Sequence, residues 1–397
     1  MLPLDGVKIL DLSKVLAGPL CAQYLGDLGA DVIKIEPPAM GDDARAWTPK
    51  RGGESASFMA VNHNKRSLAL DLKSERGKAV FCGLARDADV VIQGFGSGTA
   101  RRLGVDYETL KGIAPNVIYC EISGYGRDGP LGAEPGYDVM LQAFSGMVSS
   151  IGASDGECAR VSFSPVDLGT GLHAVSGILA ALLHRKNTGQ GAYVEVSLLD
   201  TAMGYMGYMA HNYWASGAIP ARMGTAHPSL CPYQAFATSD GSLMLGVGND
   251  RLWQKFCRCA GLEEYVADPR FATNADRVRN FAQTCVLVED RLRTRGTKAW
   301  IDILRAAGVP VSPIQTLAEA LDHEQVRARN IVVKSHHRAL GEVAHIAYPV
   351  TFNKQPRGVK RAAPVLGQHS REVLLQQGYL DTEIDELIAQ GVIEQYM

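Results

Sequence analysis

The chain has 397 residues, 46% hydrophobic and 21% charged, with 40 basic against 42 acidic side chains and a formal net charge of -2. That composition suits a globular protein of about two domains with substantial cores, and it offers no bulk attraction to nucleic acid or an anionic membrane. The eight cysteines are scattered without a Cys-x-x-Cys pair and the histidines lack a His-Glu-x-x-His pattern, so no metal site is expected and the thiols read as small buried groups in a reducing cytoplasm.

The start of the chain, Met1 to Gly6, has neither a basic segment nor a long apolar one, so no signal peptide is expected. Val7–Leu12 reads as a strand, residues 20–28 as a helix with Pro19 near its start and Gly29 near its end, and Asp31–Glu36 as a second strand stopped by Pro37-Pro38. This β-α-β order predicts parallel strands. The alternation continues with strands at 68–72, 89–93 and 117–122 and helices at 75–88, 103–113 and 139–148. A long helix over 172–186 turns at Thr188–Gly191 into a strand over 193–197. Its apolar stretch, Ala174–Leu183, falls short of a bilayer span.

Residues 203–209 are rich in Met and Tyr, which fits core packing and a subunit contact equally well. Ser239-Asp240-Gly241 between 233–238 and 242–247 signals a hairpin. Helices are expected at 250–260, 275–293, 297–307 and 316–328, extended segments near 331–334 and 343–352, and two short helices at the carboxyl end.

Asp167 stands out in this frame. It lies among small residues in Ser164-Pro165-Val166-Asp167-Leu168-Gly169-Thr170-Gly171, just ahead of the expected helix. A carboxylate there can be a helix cap, which is the commoner role, or a nucleophile. Ala17-Gly18-Pro19 after the first strand is not a Gly-x-Gly-x-x-Gly turn, and Pro19 lacks the N–H that a phosphate cradle would use. No Walker-type loop is present either, so NAD(P) and ATP are not expected.

Several segments, in order along the chain, resemble the class III coenzyme A transferases, the formyl-CoA and carnitine-CoA transferase (CaiB/BaiF-like) group. They are Leu4–Leu12 with Ala17-Gly18-Pro19, Leu28–Glu36, Asn64–Ser67 with Leu70–Lys73, Phe95–Gly98 with Arg102-Leu103-Gly104, Gly124-Tyr125-Gly126, Gly136-Tyr137-Asp138, Asp167–Gly171 and Pro232–Phe236. The resemblance implies an α/β fold with a Rossmann-like large domain over 1–200, completed by 330–397. It further implies an inserted smaller α+β domain over 225–325, a linker over 200–225 and an interlocked homodimer. Acyl-CoA would be the substrate, with no tightly bound cofactor.

By the same resemblance Asp167 is the nucleophile. Val15, Leu16 and Ala17 line the pantetheine and thioester end, Leu72 and Lys73 lie near the adenosine, Phe95 and Arg102 contact the nucleotide, and Tyr137 and Asp138 border the reacting centre. Arg45, Arg160, Arg222 and His227 are candidates to hold a second carboxylate of the acceptor. Leu16 stands where formyl-CoA transferase has a glutamine, and the glycine-rich loop of that enzyme is missing before Pro232, which argues against an oxalate/formate pair.

An ionised aspartate, with an ordinary pKa near ~3.9, attacks a thioester without a general base. Gly169 and Gly171 are expected to bring backbone N–H groups to the resulting oxyanion. A donor such as succinyl-CoA and a small carboxylic or dicarboxylic acceptor fit this scheme. Two rival readings are an α-methylacyl-CoA racemase, which needs acid/base groups on both faces of a carbon, and a non-catalytic acyl-CoA-binding protein. The related racemases have a histidine where this chain has Tyr137, and a phenol is a poor base at neutral pH.

Overall fold

The computed structural model describes residues 2–396. The chain divides into two compact units, one formed by Met1–Met147, Val161–Ala215 and Glu324–Met397, the other by Val148–Arg160 and Ser216–His323. Val148–Arg160 thus groups with the inserted unit although the sequence reading placed it in the large domain.

The first unit is built on a seven-stranded sheet. Its six parallel strands run, across the sheet, Lys65–Leu70, Asp31–Glu36, Lys8–Asp11, Val90–Gln93, Ile118–Ser123, Ala192–Ser197. In chain order this is 3-2-1-4-5-6, the doubly wound arrangement that reverses direction beside the first strand. The short strand Ile393–Glu394 adds antiparallel to Lys65–Leu70 and ties the carboxyl end to the sheet edge.

Alternate side chains enter cores on the two faces, as the two-residue period of a strand requires. Ile9, Val32, Ile92 and Ile118 join a core beneath the helices Ala17–Asp27 and Pro165–Thr188. Leu10, Ile33, Val91 and Tyr119 join another beneath Glu75–Arg86, Ser370–Gln376 and Asp381–Ala389. Burial on both faces explains why these strands read as apolar runs.

Several expected elements differ. The third strand is Lys65–Leu70, not 68–72, because buried Lys65 and Arg66 interrupt the apolar signal. The helix expected at 103–113 is two helices, Thr99–Leu103 and Tyr107–Ile113. Gly104 at φ 70° ends the first, and Asp106 caps the second by accepting from Thr109 N. The segment 200–225, expected as a linker, begins with the helices Leu198–Tyr205 and Gly207–Ser216.

The helix expected over 172–186 spans Pro165–Thr188, so Asp167 lies within its first turn rather than ahead of it. At 24 residues it is long and apolar enough to cross a membrane by length and composition, unlike the shorter run read from the sequence. Here Val166, Ala174, Val175, Ile178 and Ala181 form its buried face in the core.

The second unit holds a three-stranded antiparallel sheet, ordered Val311–Pro313, Ser242–Gly246, Tyr233–Ala237, with the expected hairpin at its edge. Trp253, Phe256 and Trp300 from the helices Asp250–Ala260 and Thr297–Ala306 fill its core with Leu243 and Leu245. Fully buried Arg277 donates to the carbonyls of Cys231 and Phe271, each at 2.8 Å, and to Asp250 at 2.9 Å. Those partners offset the cost of burying its charge.

Candidate active site

A cleft of about 290 Å³ opens at the carboxyl ends of the parallel strands in the first unit. Its walls are Ser13–Gly18 after the first strand, Gly94–Ser97 after the fourth, Ile122–Gly124 at the end of the fifth, and Leu198 after the sixth. Tyr137 and Asp167 complete it. This is the crevice where the strand order reverses, the place where open α/β sheets bind ligands. A larger hollow of about 430 Å³, lined by Asp5, Asp27, Tyr348, Phe352 and Lys360 among others, includes none of the residues expected at the site. The smaller cleft is the one that gathers residues expected at the site.

Asp167 is the third residue of its helix, where the helix dipole favours an anion. The preceding Ser164 makes no side-chain cap. Asp138 supplies the cap from another element. Its Oδ2 accepts from Val166 N at 2.8 Å and Asp167 N at 3.2 Å, and its Oδ1 accepts from Gln142 Nε2. Gln142 in turn accepts from Val161 N at 2.9 Å through Oε1, so the chain leading into the helix is held at a second point.

Burial, and then the neighbouring Asp138 carboxylate, push the Asp167 carboxyl up to about 7. The expectation of a fully ionised carboxylate at neutral pH is therefore corrected: protonated and ionised forms coexist. The ionised form is poorly solvated, which raises its reactivity towards a thioester carbonyl.

The opposite wall rests on a buried charge network. Val15 has φ 71°, a left-handed conformation that a β-branched residue adopts only under constraint. The constraint is Asp42, whose Oδ1 accepts from Val15 N at 3.0 Å and Ala44 N at 2.9 Å. Lys34 Nζ lies 2.8 Å from Asp42 Oδ2 and donates to Ser13 O at 2.9 Å. Lys65 Nζ donates to Asp11 Oδ2, Pro19 O and Asn62 Oδ1, each at 2.8 Å. Asp11, Lys34 and Lys65 are fully buried, and together they pin both ends of the Ser13–Pro19 turn.

Gly171 brings the two walls together. A Cβ there would stand 2.7 Å from the Ala17 carbonyl oxygen, so only glycine lets the helix Pro165–Thr188 come so close to the turn. Gly169 makes room for Tyr205, whose Oη would lie 1.6 Å from an added Cβ. The expectation that Gly169 and Gly171 present N–H groups to an oxyanion is overturned: both are buried within the helix, where their N–H groups are in the helical ladder.

The structure thus brings Val15, Leu16, Ala17, Phe95, Tyr137 and Asp167 to one cleft. Asp138 lies behind Asp167 instead of bordering the cavity, because its carboxylate serves the helix cap. Leu72, Lys73 and Arg102 do not line the cleft. Leu72 packs on the apolar core, exposed Lys73 follows the third strand, and exposed Arg102 donates to Thr99 Oγ1 at 3.2 Å. Arg45 is engaged by Glu36 at 2.7 Å and lies over the Phe58 ring at 3.7 Å, so it is not available to a substrate carboxylate. Arg160, Arg222 and His227 belong to the second unit.

Sequence reasoning missed Lys14 and Arg127, the cleft's cations. Lys14 is an exposed lysine 3.6 Å from Asp43. Arg127 pairs with Glu121 and donates to Phe95 O at 2.6 Å, joining two walls. Their position directly after strand ends was the available signal.

The profile of CoA-transferase family III matches residues 4–370. The succinyl-CoA:glutarate CoA-transferase of Mus musculus is 37% identical over 398 residues, covering 100% of this chain and 91% of that protein. The acetyl-CoA:oxalate CoA-transferase of Acetobacter aceti is 40% identical over 334 residues, covering 84% of this chain and 86% of that one. The crystal structure of a CAIB/BAIF family protein from Brucella suis superimposes with a TM-score of 0.83 at 37% identity, covering 95% of this chain and 99% of that one. The chain therefore belongs to CoA-transferase family III, as an enzyme that moves coenzyme A between an acyl-CoA and a carboxylic acid.

Proposed function

We propose that this enzyme transfers coenzyme A from a short acyl-CoA, with succinyl-CoA as the donor, to a small dicarboxylic acid, using Asp167 as the nucleophile. The observation that carries the reading is the placement of Asp167, a desolvated carboxylate held by Asp138 at the wall of the strand-end cleft. The ionised carboxylate attacks the thioester carbonyl, the C–S bond breaks, and a mixed anhydride and CoA thiolate form. The thiolate then attacks the aspartyl carbonyl, releasing the donor acid and leaving an aspartyl-CoA thioester. The acceptor carboxylate reverses these steps and leaves as the new acyl-CoA.

Val166 N and Asp167 N are engaged by Asp138, and Leu168 N by Ser164 O, so the oxyanion donors come from the opposite wall. The helix Ala17–Asp27 begins there without a side-chain cap, and its Ala17 and Gly18 N–H groups are the donors in this scheme. One such donor contributes roughly 3 kcal/mol to an acyl-transfer barrier. The names of the relatives support a dicarboxylate partner: succinate and glutarate in one, oxalate in another. The racemase reading loses support, since Tyr137 is the side chain facing the cleft where a basic histidine would be needed.

We infer a homodimer and a cytoplasmic setting. Phe144, Phe163, Tyr208 and Trp214 of the first unit are each more than half exposed, a large apolar surface for a lone chain. All eight cysteines are free thiols, as a reducing compartment would keep them.

The test of the mechanism is chemical trapping. Enzyme incubated with succinyl-CoA and then borohydride should carry a reduced side chain at Asp167, found by peptide mass mapping. Turnover with no modification on that peptide would sink the aspartyl thioester.

A further inference from the structure

The loop after the fourth strand reads Gly94-Phe95-Gly96-Ser97-Gly98, three glycines around one large side chain. Gly94, Gly96, Ser97 and Gly98 are exposed, while Phe95 packs in part against the core and lines the cleft that holds Asp167. A run so rich in glycine loses much conformational freedom when it is ordered, so it needs anchors from outside. Both backbone polar groups of Phe95 are anchored by side chains. Its N–H donates to Oε1 of fully buried Gln93 at 2.6 Å, and its carbonyl accepts from Arg127 Nη2 at 2.6 Å.

Arg127 is itself held at two points. Its Nε donates to Glu121 Oε1, and its backbone N–H donates to Glu195 Oε1 at 2.7 Å. Tyr193 Oη donates to the other Glu121 oxygen, Oε2, at 2.8 Å. Glu121 lies on the fifth strand and Tyr193 and Glu195 on the sixth, so the sheet reaches through one guanidinium to the glycine-rich loop. A guanidinium suits this task because its planar fork sends donors in fixed directions, here one to a carboxylate and one to a carbonyl. Glu121 compensates the Arg127 charge, which fits a holding role better than the capture of an anion.

We propose that Arg127 is a positioning residue for acyl-CoA. It fixes the loop over residues 94–98 so that the Phe95 ring forms one wall of the site, and Glu121 and Tyr193 fix Arg127 in turn. This rests on the reading that acyl-CoA occupies the cleft beside Asp167. The substrate then meets a wall that is already ordered, and binding does not carry the cost of ordering the loop. Loss of Arg127 is therefore a defect of affinity, transmitted through Phe95, more than a defect of the chemical steps.

The test is a double-mutant cycle on the full-length enzyme, read by calorimetric titration with free CoA and by kinetics with succinyl-CoA. Arg127→Gln should weaken CoA binding by about 10-fold, the effect of losing a charge-assisted hydrogen bond that holds the wall. The KM for succinyl-CoA should rise in step, while kcat falls by about 3-fold at most. Arg127→Lys should recover part of the affinity. Phe95→Ala should weaken CoA binding as well, and Arg127→Gln should add about 2-fold or less in that background, because the ring it positions is gone. Tyr193→Phe removes one hydroxyl and should show the same pattern at smaller size, which keeps the test decisive if the Arg127 variants do not fold. Full additivity of Arg127→Gln and Phe95→Ala would mean that Arg127 meets the substrate itself, and it overturns the proposal. So does a fall in kcat with CoA affinity unchanged, or a Phe95→Ala variant that binds CoA like wild type. Borohydride labelling reads Asp167 separately: a missing label with the CoA results intact removes the nucleophile and leaves the role of Arg127 standing.

Discussion

Asp138 Oδ2 accepts the backbone N–H of Asp167 itself, at 3.2 Å, and that of Val166 at 2.8 Å. One carboxylate therefore orients another while repelling its charge. The hydrogen bonds fix where the first turn of the helix Pro165–Thr188 begins, and the negative charge helps keep the Asp167 carboxyl near about 7, second to burial. Positioning and tuning come from the same side chain.

Asp138→Asn separates these two effects. The amide oxygen can still accept from the helix N–H groups, but the charge is gone. The Asp167 carboxyl should then ionise at lower pH, and the acid limb of the kcat/KM profile should move down in pH. Asp138→Ala also loses the cap, worth about 1 kcal/mol, and leaves two helix N–H groups without their acceptor. Its kcat should fall by roughly 10-fold or more, with the fall greater than in Asp138→Asn. Equal pH profiles in Asp138→Asn and wild type would remove the tuning role.

Asp167 should carry a stability cost that depends on pH. Its folded value is raised to about 7 from an unfolded value near ~3.9. The folded state thus binds the proton more tightly, and stability is lost as pH rises from about 4 through about 7. Asp167→Asn removes the ionisation. The variant should be inactive when freshly prepared, and its melting temperature should exceed that of wild type by more at pH 8 than at pH 4. Slow deamidation restoring Asp would be followed by mass. A difference that is the same at both pH values would show that Asp167 ionises normally.

Much of this was legible from residue order. The apolar strands and glycine-ended helices predicted the alternating fold, because local periodicity and chain breaks are short-range properties. Asp167 was legible as a carboxylate among small residues, and the turn Val15–Ala17 through the resemblance to the coenzyme A transferases. What Asp138 does was not legible, since its partners lie 28 and 29 residues away and only the folded chain brings them together. Gly169 and Gly171 misled for a related reason. Glycine signals a close approach, but the approaching groups are Tyr205 and Ala17, not a ligand. Lys73 and Arg102 do not line the cleft that holds Asp167, since a motif fixes sequence position and not the direction of a long side chain.

Gly171 should be intolerant of size. An added Cβ meets a backbone carbonyl, which cannot swing aside as a side chain can. Gly171→Val forces the helix Pro165–Thr188 away from Ala17 and overfills the interface, costing about 1–3 kcal/mol in urea unfolding. The KM for acyl-CoA should rise because the two cleft walls separate. At Gly169 the nearest obstacle is the Tyr205 hydroxyl, so Gly169→Ala combined with Tyr205→Phe should recover part of the stability lost by Gly169→Ala alone. Strictly additive effects would mean that the two positions do not press on each other.

Asp42 supports the other wall, and its loss should appear both in stability and in substrate binding. It is buried with Lys34 at 2.8 Å, and it holds Val15 N at 3.0 Å. Burial alone would raise its carboxyl, but Lys34 and the backbone donors at Ala44 and Val15 together bring it below the ordinary value. Removing one partner of a buried ion pair costs about 3–5 kcal/mol, because the other charge stays buried. Asp42→Ala should show that loss and should also raise the KM for acyl-CoA, since the strained Val15 backbone is no longer held. Asp42→Asn keeps an acceptor for Val15 N and should spare KM more than stability. A depressed folded pKa contributes stability that is present above about pH 4 and is lost as pH falls. Wild type and Asp42→Asn should therefore differ most at pH 7 and converge towards pH 3 in acid unfolding. A constant gap across that range would place the stabilisation in packing around Asp42 and not in its charge.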